Sequence, residues 1–321
     1  MKFLAGRILH SLFLLAGVSL LCFLFAALAP GDYFAELRMD PTVSNQTIAG
    51  LRARAGMDRP FLARYGAWAA SALRGEFGYS LAYGAPAGPI VGERIGATLL
   101  LTGTATLLAW LLAVPWGVWS AARRGAWLDG ISRAILALLL AVPDLLLAIV
   151  FLALAVETGS FPAGGMVSRD FSSLGAAAKL RDAAWHMALP VAVLVLGMFP
   201  VLARHVRASV AEALDSPFVL SARANGIGER RLLFRHALPA ALNPLISLFG
   251  ISVGTLLSAS LLVEVVMGWP GLGPLFLEAI MARDFAIVLA VVMLSTVFLI
   301  AGNLLADLLL YRADPRIRVR S

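Results

Sequence analysis

The chain has 321 residues, of which 60% are hydrophobic and only 14% charged, and its mean hydropathy is +0.86. A water-soluble domain carries about a quarter of its residues as charges, so lipid must be the solvent for most of this chain. The net charge of +7 does not mark a nucleic-acid binder, because the arginines collect in short segments between apolar runs with no RNA- or DNA-binding motif around them; the single cysteine, Cys22, lies in an apolar run and excludes both an internal disulfide framework and a cysteine-based zinc cluster.

A membrane-spanning helix needs about 20 apolar residues. Six stretches qualify, roughly 8–29, 98–121, 131–156, 187–206, 244–267 and 286–310. The first follows Lys2 and Arg7 and ends Ala27-Leu28-Ala29, which resembles a cleavable signal peptide. Its apolar run is longer than a usual signal core, so a retained span is expected. The third, Ile131 to Val156, reads as the most continuous. The fourth contains Pro190 and Pro200, which a span tolerates when neighbours or water satisfy the freed carbonyls.

Six spans put both ends on one side. That side holds Lys2, Arg7, Arg123, Arg124, the basic stretch around 204–236, and Arg312, Arg316, Arg318 and Arg320. The short loops opposite carry only Arg169, Lys179, Arg181 and Arg283. The excess of Lys and Arg in short loops places both termini in the cytoplasm. A bacterial cytoplasmic (inner) membrane is the expected location.

The long outer loop, about 30–97, is expected to be partly helical. Ser44 caps a helix running to about Ala55 with Gly56 as its stop, and Pro60 starts a second. On that second helix Phe61, Tyr65, Trp68 and Ala72 share one face, and Gly75 and Gly78 then break it. The face fits packing onto the spans or, compatibly, a platform for an external partner.

The stretch Ser221–Pro239, SARANGIGERRLLFRHALP, interrupts the apolar pattern between spans four and five. Ser216-Pro217 supplies an N-cap followed by a proline at the first helical position, and Asn225-Gly226 supplies a stop. A second helix is expected over Glu229–Ala237, with Pro239 marking the turn into span five. A passive connector needs only a few residues; a capped, glycine-hinged hairpin suits being gripped.

Gly226, nine residues, His236, one residue, then Leu238-Pro239 resembles the EAA loop of the membrane permeases of ABC importers. Ala222, Gly226, Leu238 and Pro239 match that pattern; Leu220 stands in place of its Glu, Ser221 in place of its first Ala, and His236 in place of its Ile. Those departures resemble the dipeptide/oligopeptide/nickel branch, whose version is closer to TARAKG…RRVLLRHAL. The resemblance runs along nearly the whole chain: Ala29-Pro30-Gly31-Asp32, Gly56 to Phe61, Arg124 to Asp129, Val263-Glu264 with Gly268 to Gly273, and Gly302-Asn303 through Asp307 and Tyr311 to Asp314–Arg318 all resemble that branch in order and spacing.

The resemblance implies an all-α integral membrane subunit with about six transmembrane helices, a cytoplasmic coupling-helix hairpin and a long, partly helical outer loop. Residues 1–97 would form the first span and outer loop, and 98–321 a five-helix core carrying the EAA-type loop at about 207–243. Ala222, Arg223, Gly226, Arg230, Arg231, His236, Leu238 and Pro239 would form the element that docks on a separate cytoplasmic ATPase. Arg223, Arg230, Arg231 and Arg235 suit acidic groove residues or anionic lipid heads, with positive-inside anchoring as the plainer alternative. The implied partners are a second homologous permease, two ABC ATPases and an external substrate-binding protein. The chain carries no G-x-x-x-x-G-K-[ST] phosphate loop, so ATP belongs to the partner ATPases and no cofactor is expected here.

Ionisable residues within spans are functional candidates. Asp144 after Pro143 departs from the family, which has Ser or Thr there; it reads as facing the pathway toward a cationic substrate group, or else as pairing with a partner subunit or a backbone donor. Glu264, beside the Gly/Pro-rich turn, is a candidate for the outer gate, while Asn303 and Asp307, four apart, read as packing residues. His186 and His236 have no metal-ligand companions. Nothing provides a nucleophile–base pair or an H-E-x-x-H motif, so no catalytic or metal residue is assigned. The competing reading is a stand-alone secondary transporter or channel, which would need no docking hairpin and for which no inverted repeat is visible. The substrate is expected to be a di- or oligopeptide, a nickel chelate or a related small solute.

Overall fold

The computed structural model describes residues 2–28, 44, 46–47, 49–50 and 59–313. The expected end of the first outer-loop helix at Ala55-Gly56, and the family-like stretches at 29–32, 56–58 and 314–318, lie outside the described residues. The helices are α1 (Lys2–Leu28), α2 (Phe61–Ala72), α3 (Ala87–Ala122), α4 (Trp127–Leu140), α5 (Asp144–Thr158), α6 (Ala176–Leu214), α7 (Pro217–Ala224), α8 (Glu229–Val266), α9 (Leu272–Met281) and α10 (Phe285–Ala313). A two-residue hairpin, β1 (Tyr79–Ser80) with β2 (Ala85–Pro86), precedes α3 and is antiparallel with Ser80 opposite Ala85.

Five helices are long and apolar enough to cross a membrane, and α4 with α5 makes a sixth if a bent pair counts as one span. The third expected span is therefore not continuous: α4 and α5 meet at 85°. The cause is Pro143, whose missing N–H and ring end a helix, and which also drives the preceding Val142 out of helical geometry. Pro143 then sits extended (φ −62°, ψ 141°) as the cap from which α5 restarts. Spans two, four and five run beyond the apolar stretches, because a helix does not stop where its hydropathy falls.

The chain divides into two compact units. One comprises residues 98–270 and 298–321, of which the structure describes those up to 313. Within it α6 is central, with α4, α5 and α8 packed against it. Gly117 of α3 makes one close crossing possible: a Cβ there would lie 2.6 Å from Val206 Cβ and 2.8 Å from the Ala203 carbonyl. Around that crossing Val118, Val206, Val210, Ala237, Ala241 and Leu245 form a buried cluster.

The other unit comprises residues 2–97 and 271–297. Ser44 Oγ accepts the N–H of Thr47, the expected cap, and helical residues follow at 46–47 and 49–50. The aromatic face of α2 packs on α1: Phe23 meets Phe61, Tyr65 and Trp68 at centroid distances of 5.7, 5.6 and 5.8 Å, and Tyr65 and Ser19 hydroxyls lie 2.9 Å apart. Asp284, buried, accepts Ser80 Oγ (2.5 Å) and the Ala82 N–H (3.1 Å), tying the β-hairpin to the start of α10. The Tyr83 hydroxyl donates to Glu278 at 2.6 Å, and this bond is the main reason its pKa is pushed up to about 12.

Candidate coupling loop and membrane cleft

The segment after α6 is built as the sequence predicts up to Gly226. Ser216 holds the N-cap position with Pro217 inside the first turn, but its hydroxyl turns back to the Ala213 carbonyl and makes no cap bond. α7 spans eight residues and ends at Asn225, with the N–H of Gly226 donating to Arg223 (3.0 Å) and that of Ile227 to Ala222 (3.3 Å). Gly226 has φ +80°, the left-handed region where a side chain strains the backbone, and a Cβ there would meet open space. Its requirement is thus conformational, not steric.

Beyond Gly226 the expectation of a separate short helix ending at Pro239 is overturned. Glu229–Leu232 runs through a wide π-turn, Leu233–Ala237, and continues unbroken past Pro239 to Val266. Within the turn the Leu238 N–H reaches back five residues to the Leu233 carbonyl. The widening precedes Pro239, whose ring would otherwise press on the carbonyl four residues earlier. The loop is therefore one free helix, α7, hinged directly onto the first turn of span five.

Two fully buried side chains, Val219 of α7 and Leu232 of α8, anchor the pair. Arg223 spans the hinge to Glu229 with two hydrogen bonds, Nε–Oε1 at 2.7 Å and Nη2–Oε2 at 3.0 Å, so its guanidinium braces the turn. Arg124, before α4, forms an ion pair with Asp215 at the base of α7. Arg230, Arg231 and Arg235 are exposed; Ala222, His236 and Leu238 are half-buried, and Pro239 is exposed. The same segment exposes Phe218 (51%), Leu220 (47%) and Phe234 (56%), of which the sequence marks only Leu220, as the residue in place of the family's Glu. Their signal was there, large apolar residues among arginines. Aromatic residues and arginine are the types enriched in protein–protein interfaces.

A second group was missed because its members are far apart in sequence. Asp129, 1% exposed, accepts Arg207 Nε and Nη2 (2.7 Å each), Ser120 Oγ (2.8 Å) and the Gly125 N–H (3.4 Å), and so joins α3, α4 and α6.

Asp144 opens α5 and lines a cleft of about 150 Å³ together with Gly197, Met198, Ser252 and Thr255. Gly197 leaves the space for it, since a Cβ there would overlap the Asp144 carboxylate. Among the described residues no donor bonds to that carboxylate. Glu264 is fully buried near the end of α8, and its carbonyl accepts the Trp269 N–H at 2.9 Å where the chain turns at Gly268 (φ +61°). Asn303 lies against Gly250 at the α8–α10 crossing, in keeping with a packing residue. Among the described residues no group of three His, Cys, Asp or Glu could hold a metal ion.

A bundle of five to six apolar helices long enough to cross a membrane, carrying a hinged basic loop, fits a membrane transport subunit. Residues 113–319 match the family described as binding-protein-dependent transport system inner membrane component. The chain is 33% identical over 318 residues to the oligopeptide transport system permease protein AppB of Bacillus subtilis, covering 98% of each. It is 31% identical to OppB of Mycobacterium tuberculosis (99% of each) and 30% identical to the glutathione transport system permease protein GsiC of Escherichia coli K12 (94% of each). Among solved structures, the inward-facing MetNI methionine ABC transporter superposes with a TM-score of 0.56 at 18% identity, over 70% of this chain and 96% of that one, a likeness of fold. The chain belongs to the binding-protein-dependent transport system inner membrane component family. It is a multi-pass permease subunit of an ABC importer, and ATP hydrolysis resides on separate ATPase chains.

Proposed function

We propose that this permease forms half of the translocation pathway for peptides or a related small solute, paired with a second homologous permease. Residues 98–321 make the permease core, with the first span and outer loop in residues 1–97. The termini and α7 face the cytoplasm, two ABC ATPases bind there, and a substrate-binding protein delivers from outside. α7 with Arg230, Arg231 and Arg235 docks on one ATPase, and Gly226 sets the angle between α7 and span five. Asp144 faces the pathway and Glu264 belongs to the outer gate. The peptide assignment draws on the peptide, oligopeptide and glutathione permeases among the relatives.

The observation that carries the coupling role is the combination, on α7 and the adjoining first turns of α8, of exposed arginines, exposed Phe218, Leu220 and Phe234, and a buried, braced base. The test is affinity purification from native membranes, comparing wild type with Gly226→Trp. Recovery of a second permease and ATPases, with the ATPases lost in the variant, supports the docking role. Ligand stripped from a co-purifying binding protein names the substrate. A wild-type chain that comes out alone, with uptake insensitive to ATP depletion, overturns the reading in favour of a stand-alone transporter.

A further inference from the structure

A second cleft lies between α4 and α6, of about 470 Å³, sharing only Val201 with the Asp144 cleft. Its walls carry Arg133 on α4, and Arg204, His205 and Arg207 on α6, while Leu140 and Val201 close one end. The two helices run antiparallel here, since Asp129 near the start of α4 meets Arg207 near the end of α6, and Leu140 lines the cleft with Val201. The basic groups therefore lie toward one end of the cleft, with Ala208 beside them, and the larger aliphatic groups, Leu140 and Val201, toward the other. At about 1.5 Å per residue the seven residues from Arg133 to Leu140 separate those ends by about 10 Å.

The charges do not balance. Three guanidiniums share one carboxylate, Asp129, whose oxygens already hold Arg207, Ser120 and Gly125. Arg133 reaches that carboxylate only at 3.8 Å, with its side chain 62% exposed. Among the described residues nothing pairs with Arg204. His205 donates from Nδ1 to the Val201 carbonyl at 2.9 Å, which fixes its ring beside the cleft. Arg204 is thus left without an anion, and Arg133 with only a loose one, at the basic end of an amphipathic slot. Leu140 itself, at the aliphatic end, is 36% exposed, so an acyl chain can reach it from the side.

We propose that this cleft binds an anionic phospholipid, its phosphate held by Arg133 and Arg204 and its upper acyl chain laid on Leu140 and Val201. A phosphate accepts guanidinium donors on two oxygens at once, and basic pockets between spans on the cytoplasmic side are where acidic headgroups lodge. A soluble anion would use the arginines but not the aliphatic end. The bound lipid would tie α4 to α6 and stiffen the frame on which the Asp129 hub sits.

The test is thermal stability of the purified transporter complex, titrated with dioleoyl phosphatidylglycerol or with dioleoyl phosphatidylethanolamine in mixed micelles. Wild type is expected to melt higher with phosphatidylglycerol and to be indifferent to phosphatidylethanolamine. One guanidinium at an anionic headgroup is worth about fivefold in affinity, so Arg133→Gln with Arg204→Gln should raise the half-saturating lipid fraction about 25-fold. Melting without added lipid should be unchanged. An unaltered phosphatidylglycerol response in the double variant overturns the proposal. So does a full response to millimolar inorganic phosphate, which would mark a soluble-anion site, or loss of a partner subunit with the lipid response intact, which would mark a protein dock. If the double variant does not fold, wild type is photolabelled with a diazirine phosphatidylglycerol. Adducts within 131–140 and 200–208 support the site, and adducts elsewhere or nowhere overturn it.

Discussion

Replacing Asp129 with Asn keeps the shape and removes the charge at the junction of α3, α4 and α6. The carboxylate is 2% exposed and receives two 2.7 Å bonds from Arg207, whose side chain is 20% exposed. Unit charges about 4 Å apart attract by about 4 kcal/mol at the effective dielectric near a protein surface. Removing one partner of a buried pair costs about 3–5 kcal/mol, because the other charge is left unpaired. Arg207 keeps a fifth of its surface in contact with solvent, which offsets part of that loss and leaves an expected cost of about 2–4 kcal/mol. In a chain of this size that corresponds to a melting temperature lower by about 3–6 °C. The assay is size-exclusion chromatography of fluorescently tagged protein after graded heating. Arg207→Met alone should cost a similar amount, through the orphaned carboxylate. Asp129→Leu with Arg207→Met should recover at least half of either loss, since no charge is then stranded. If Asp129→Asn melts within about 1 °C of wild type, the hub does not hold these helices together and the account of the junction is wrong.

At Gly226, Ala and Asn separate backbone strain from crowding. Ala in the left-handed region costs about 1–2 kcal/mol while Asn tolerates it, so Gly226→Ala should lower ATP-driven uptake and Gly226→Asn should stay near wild type, at equal expression. Tyr83 gives a pH prediction. Its pKa is raised to about 12, so its bond to Glu278 contributes stability in full below pH 10 and loses it as the pH rises from 10 to about 12. In an absorbance titration at 295 nm one of the five tyrosines should ionise near pH 12, and that step should vanish in Tyr83→Phe. Gly197→Ala pushes a methyl into the Asp144 carboxylate and should destabilise the chain by about 1–3 kcal/mol, with Asp144→Ala in the same chain restoring most of it. Independent, additive losses in thermal melts would place the two residues out of contact.

Much of this arrangement is legible along the chain, because hydropathy length and glycine or proline punctuation are local signals. The spans, the aromatic face of Phe61, Tyr65 and Trp68, and the stop at Gly226 all follow from such signals. The bend at Pro143 does not, since the residues on both sides are equally apolar and composition is blind to a change of direction. The path through Pro239 is hidden for a related reason. A proline marks either the end of a helix or a local widening, and only the packing of Ala237, Ala241 and Leu245 against α3 and α6 selects the widening. The Asp129–Arg207 pair spans 78 residues. In the sequence Arg207 is one more positive charge in a basic stretch, and its partner is found only by folding.

The continuity of α8 bears on how a movement at the loop would reach the pathway. α7 has eight residues, too few to be stable alone, since isolated helices shorter than about 12–15 residues are marginal in water. It holds its form through buried Val219, the Arg223–Glu229 brace and the ion pair of Arg124 with Asp215. A force on its exposed face would move it as a unit instead of melting it. The next element in line is a single helix from Glu229 to Val266, and that helix carries Ser252 and Thr255 into the cleft beside Asp144. From Glu229 to Ser252 the helical rise is about 35 Å. A separate hairpin ending at Pro239 would have put a second joint in this path, where displacement could be absorbed. With one joint at Gly226 and none at Pro239, tilting of the loop would be transmitted along the helix, whose register can yield at the π-turn and at Pro244.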